Sequence, residues 1–142
     1  MKLGFVAVFR DKDTNLVTTV SSRADSRFHK EKLETLKHFD NDNNYAMEFY
    51  FATTNEQLFY EMRLKSALLE LRNYCEYSAN YLDTIISQSY YEESKKLVDE
   101  ITETLMRRVA VRCGQAIRRD IDVTDELAIH CYNWRQQKLN RI

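Results

Sequence analysis

The sequence predicts an α+β domain, a small three-stranded sheet in the order β-β-α-β-α followed by a helical C-terminal extension. Three observations carry that prediction. Two runs rich in β-branched and aromatic residues flank a polar turn within the first twenty residues. A third run, Tyr45 to Phe51, alternates Met47, Phe49 and Phe51 with Ala46, Glu48 and Tyr50, as a half-buried strand does. From there the apolar residues recur at helical spacing, and the chain has no proline to interrupt them.

The first strand is read at Leu3 to Phe9, ending in the polar turn from Arg10 to Asn15, with Leu16 to Val20 returning as the second strand of a hairpin. Phe28, Leu33, Leu36 and Phe39 define an amphipathic helix, closed by the turn-forming run Asp40 to Asn44. After the third strand, Thr53 and Glu56, or Thr54 and Gln57, have capping-box spacing. The helix they start is expected from about Asn55 to Arg72, with Leu58, Met62, Leu68, Leu69 and Leu71 as core contacts. Tyr81, Leu82, Ile85 and Ile86 suggest a short further element. Leu97, Val98, Ile101, Leu105 and Val109 form the most regular stripe, which Gly114 is placed to end as a left-handed cap. A final helix enters through Thr124, Asp125 and Glu126 and carries Leu127, Cys131 and Trp134.

At 142 residues, 44% hydrophobic and with nine Tyr, seven Phe and one Trp, the chain is sized for one packed domain, residues 1–142. No linker composition marks a second. The opening Met1 to Val6 runs into Arg10 and Asp11 without a spanning apolar stretch or a small-residue cleavage site, so neither secretion nor membrane insertion is expected. Cys75, Cys113 and Cys131 are odd in number and widely spaced, the usage of reduced thiols in an intracellular protein, cytoplasmic or nuclear.

Two glycines cannot build a phosphate cradle, and no metal-ligand spacing occurs, so no cofactor and no metal are expected. His29, His38 and His130 read as surface or hydrogen-bonded histidines, and Cys75 as a packing residue. Net charge is −1, yet residues 105–142 hold eight basic residues (Arg107, Arg108, Arg112, Arg118, Arg119, Arg135, Lys138, Arg141) against four acidic ones. Residues 53–104 reverse the balance, five against ten. A basic tail neutralises phosphates without reading sequence, and it is equally the pattern of a solvated helix face.

The element order, with Arg23 and Arg27 after the hairpin and Glu61 on the helix after the third strand, resembles the GIY-YIG nuclease fold in the form attached to KilA-N and Bro-like proteins of large DNA viruses and phages. The likeness spans roughly residues 3–90 and is strongest in Met47 to Asn55, Tyr60 to Lys65 and the pair Leu82-Asp83; residues 91–142 fall outside it. The resemblance implies a metal-assisted phosphodiesterase that uses two signature tyrosines, an arginine and a glutamate. Here Phe5-Val6 and Thr18-Thr19-Val20 occupy the two tyrosine motifs, so Arg23, Arg27 and Glu61 stand as vestigial candidates.

Three functions follow as expectations. One is a catalytically inactive nuclease-like module binding nucleic acid through Arg23, Arg27, Lys30, Arg107, Arg108, Arg112, Arg118 and Arg119. The second is a protein-interaction or assembly module, with a host or viral partner or a second copy of itself, built on the aromatic surface from Tyr45 to Tyr91 and the stripe from Leu97 to Val109. The third is an active nuclease with relocated tyrosines, Tyr45, Tyr50 or Tyr60.

Overall fold

The computed structural model describes residues 3–84 and 88–141. Three strands, β1 (Gly4–Asp11), β2 (Val17–Arg23) and β3 (Tyr45–Thr53), form an antiparallel sheet in the order β2-β1-β3. Helix α1 (His29–Asn41) lies between β2 and β3 in sequence, and α2 (Glu56–Asp83), α3 (Gln88–Arg118) and α4 (Glu126–Leu139) follow. The expected α+β order and helical extension are those observed.

The central strand β1 is covered on both faces, which is why it reads as almost continuously apolar. Phe5, Ala7 and Phe9, with Val20, pack under Leu33, Leu36 and Phe39 of α1; the Phe9 and Phe39 rings lie 5.3 Å apart. Val6 faces the other way, into a larger core with Phe59, Tyr60, Leu64, Leu68 and Leu71 of α2 and Leu105, Val109 and Cys113 of α3. A bulge leaves Glu48 of β3 unpaired between Val8↔Phe49 and Phe9↔Met47, and its carboxylate accepts from the Arg10 guanidinium. At the hairpin turn Asn15 takes the left-handed conformation (φ 66°), and Asp11 caps the turn amides of Asp13 and Thr14.

Several helix details differ from expectation. Helix α2 starts at neither threonine: Asn55 is its N-cap, its Oδ1 accepting from the Leu58 amide at 3.0 Å. It continues beyond Arg72 to Asp83, so Tyr81 and Leu82 form its last turn, while Ile85 and Ile86 lie outside the described residues. Of the five expected core residues, Leu68 and Leu71 are buried and Met62 packs at the margin, whereas Leu58 and Leu69 are exposed, because α2 buries only the sides turned to the sheet and to α3.

Gly114 does not end α3. It lies inside the helix, which runs to Arg118 and closes through Asp120 (φ 57°), with Ile121 N–H donating to Ala116 O at 2.9 Å and Asp120 N–H to Ile117 O at 3.1 Å. That is a Schellman closure with aspartate in the left-handed position, anchored by the buried Ile121. The stripe on α3 is buried at Leu105 and Val109 but open at Leu97 and Ile101. Helix α4 takes Asp125, one of the three expected entry residues, as its N-cap, and no helix among the described residues is long and apolar enough to cross a membrane.

Candidate functional site

Helices α2 and α3 run antiparallel, as the ion pairs Glu56–Arg119 and Glu70–Arg108 at successive levels require. Every α2 residue in that seam shares a face by helical spacing: Glu56, Tyr60, Arg63 and Glu70 recur at four, three and seven. On α3, Arg108, Arg112, Gln115 and Arg119 do the same at four, three and four. Their pairing lines up arginines along one side of the molecule.

At one end Arg23, the last residue of β2, is held from three directions. Its Nε and Nη2 donate to Asp25 at 3.0 and 3.1 Å, and its Nη1 donates to Tyr60 Oη at 2.7 Å and Glu56 Oε1 at 3.2 Å. Arg119 completes the cluster, 2.5 Å from Glu56 and with its guanidinium 5.2 Å from the Tyr60 ring centre. The Asp25 and Tyr60 hydrogen bonds raise the Arg23 pKa, and the Arg23 guanidinium lowers that of Asp25.

At the other end lies a pocket of about 230 Å³, lined by Arg63, Arg107, Arg108, Val111, Arg112 and Gln115. Arg108 is neutralised by the buried Glu70, donating at 2.8 and 3.4 Å, and Thr19 of β2 donates to the same carboxylate at 2.7 Å. Arg107 lies 3.7 Å from Glu103, which it shares with Lys138. Arg63 and Arg112 are different. Among the described residues neither has an acidic partner, and the Nε of each is buried without a hydrogen bond, as is Gln115 Oε1.

Burial, first, and the neighbouring charges of Arg63 and Arg108 push the Arg112 guanidinium down to about 9, with Glu70 opposing. Burial, with Arg23 and Arg108, also lowers Arg63, whose guanidinium lies 5.8 Å from the Phe59 ring centre. A guanidinium surrenders its proton reluctantly, so the favourable response to that stress is an anion.

The remaining sequence candidates fall elsewhere. Lys30 is exposed on α1, across the sheet, and Arg27 sits in the turn before it with its guanidinium 4.6 Å from the Phe28 ring centre. Arg118 is exposed near the end of α3. Glu61 accepts from Lys65 at 2.8 Å and lines a separate groove with Asp122 and Asp125. Among the described residues no hydrogen bond or ion pair joins it to Arg23 or Arg27. Among the described residues no group of three or more His, Cys, Asp or Glu is placed to hold a metal ion. The two internal cysteines, Cys113 and Cys131, are buried at the α3–α4 seam, where burial pushes the Cys131 thiol up to about 11.

Arg63, Glu56 and Glu70 were not among the residues expected from sequence, and Tyr60 was expected only as a relocated tyrosine of an active nuclease. Their shared helical face was legible; which face of α3 would meet it was not.

Fold and site together define an α+β domain with an arginine-lined seam between two long helices. A scan against protein-family models found no match, and searches of curated proteins and of solved structures found none either.

Proposed function

We propose that this domain binds nucleic acid without cleaving it, through the arginine row from Arg23 and Arg119 to Arg63, Arg112, Arg108 and Arg107. The observation that carries the reading is the pair Arg63 and Arg112, two half-buried guanidiniums with no acidic partner among the described residues. Ordinary surface arginines stay solvated or paired. Leaving two together in a concave seam costs stability unless an anion is met there, and a polyphosphate backbone offers anions at regular spacing.

The nuclease-like descent is part of the same proposal. A sheet ordered β2-β1-β3 with the Glu61-bearing helix packed on it is compatible with the resemblance, and both tyrosine motifs are replaced. A viral or phage module that kept a phosphate-binding surface after losing hydrolysis fits these residues.

Fluorescence anisotropy with a labelled duplex tests it. Binding is expected to weaken by roughly a hundredfold between 50 and 200 mM salt, the dependence of about four neutralised phosphates. Arg63→Gln with Arg112→Gln should reduce that slope by about two. Binding that is absent even at low salt sinks the reading. Incubation with plasmid and Mg²⁺ or Mn²⁺ should give no nicking beyond that of Glu61→Ala.

A second reading, an assembly module, is favoured by the open half of the α2–α3 hairpin. There Tyr77 and Tyr81 stack at 6.3 Å, and Tyr90 and Leu97 are 69% and 57% exposed. Light scattering over a wide concentration range tests it; a strict monomer removes self-assembly.

A further inference from the structure

We infer that the pocket between Arg63, Arg107, Arg108 and Arg112 is a phosphomonoester site, which takes a dianionic terminal phosphate in preference to the phosphodiesters of a strand interior. The inference deepens the nucleic-acid reading at one point of the same surface and rests on it for the strand source of the phosphate, not for the pocket itself.

The charge balance sets the ligand class. Four guanidiniums line the pocket; Glu70 offsets Arg108, and Glu103, which Lys138 also engages, offsets Arg107 only in part, so at least two positive charges are uncompensated. A phosphodiester carries one negative charge and would leave one guanidinium unmatched. A phosphomonoester carries close to two above its second pKa of about 6. Shape agrees with charge: about 230 Å³ admits a phosphate with part of its sugar or a few waters, and the walls are helix side chains on both flanks.

The donors point the same way. Arg63 Nε and Arg112 Nε are buried without a partner, and each guanidinium offers a planar fork suited to two phosphate oxygens. Arg108 is oriented by Glu70, itself fixed by Thr19, so one wall of the site is already rigid before a ligand arrives. The charged or titratable groups at the pocket are Arg63 and Glu70 from α2, Glu103, Arg107, Arg108 and Arg112 from α3 and, through Glu103, Lys138 from α4, with Tyr60 and Arg23 also acting on Arg63. Among the described residues no histidine lines it. A rise in affinity with a midpoint near pH 6 therefore belongs to the ligand's second ionisation.

The test compares probes on the unaltered chain. A single-stranded oligonucleotide bearing a 5′-phosphate should bind at least tenfold more tightly than the same strand with a 5′-hydroxyl, with the difference growing from pH 5.5 to 7.5. Inorganic phosphate should raise the thermal midpoint above that in chloride of equal ionic strength by about 3 °C, and Arg112→Gln should abolish that increment. A 5′-phosphorylated strand that binds no better than AMP leaves the pocket standing with a free nucleotide as ligand, and removes the nucleic-acid reading. Equal affinity for the two strands, with no response to AMP or phosphate, overturns the phosphomonoester site; salt-dependent binding of both strands would then leave the general reading intact. Because the two-strand comparison needs no substitution, it decides even where Arg112→Gln fails to fold.

Discussion

Arg108 donates to both carboxylate oxygens of Glu70, at 2.8 and 3.4 Å, and so ties the middle of α3 to the middle of α2. The same carboxylate receives the Thr19 hydroxyl, which extends the tie to the edge strand β2. Glu70 is 8% exposed, and it offsets the charge of Arg108 at the neighbouring pocket.

Glu70→Gln is therefore expected to act in two directions. Removing the charge leaves Arg108 unpaired beside Arg112, and a loss of about 2 kcal/mol in urea unfolding is expected. Anion and DNA affinity should rise, because a third guanidinium becomes free. A variant with unchanged stability would show that the buried tie contributes nothing.

Asp125 supplies the acid-sensitive element. Its Oδ1 caps α4 by accepting from the Leu127 and Ala128 amides, and its Oδ2 lies 2.6 Å from Arg72 Nη2. The Arg72 hydrogen bond, ahead of the two backbone bonds, lowers the Asp125 pKa below the ordinary carboxylate value. The folded state therefore binds this proton less readily than the unfolded state. The contribution is fully present above about pH 4 and is lost as pH falls through the lowered value. Asp125→Ala should cost about 1 kcal/mol at pH 7, the pair being partly exposed, and the difference from the parent should shrink below pH 4 in denaturation curves.

The two glycines should respond with opposite sign. A Cβ on Gly4 would stand 2.4 Å from Ser22 O, 2.8 Å from Phe59 Cε2 and 3.0 Å from Arg23 Cα, two of them backbone atoms that cannot rotate away. Gly4→Ala is expected to destabilise by about 2–3 kcal/mol through overpacking between β1, β2 and α2.

Gly114→Ala, by contrast, should stabilise by about 0.5–1 kcal/mol. The position is interior to α3, and the nearest atoms would lie at 3.6 and 3.7 Å, ordinary contact distances to Tyr132 and Arg118 side chains. A measured loss would mean that α3 is tighter against Tyr132 than these distances indicate. Thermal denaturation of both variants checks the pair.

Element type was legible wherever one physical rule acted alone. Alternation at Met47, Phe49 and Phe51 marked β3, and Asp125 before an apolar turn marked the start of α4, because strand pleat and helix capping are local. Where two local rules competed, context chose. Asn55, not Thr53 or Thr54, caps α2, and aspartate at 120, not Gly114, takes the left-handed position after α3, because the residue that follows Asp120 is Ile121, which enters the core, whereas the one that follows Gly114 is the polar Gln115.

By itself, the sequence determined an α+β chain with a front hairpin, a third strand and long amphipathic helices, and it showed an arginine-rich tail. Only the tertiary structure decided which arginines are neutralised. Arg108 and Arg119 meet Glu70 and Glu56 across the α2–α3 seam, while among the described residues neither Arg63 nor Arg112 forms an ion pair with an acid. Helical spacing places residues on a face; whether that face finds a carboxylate or another cation depends on the register of two long helices, which no local rule fixes.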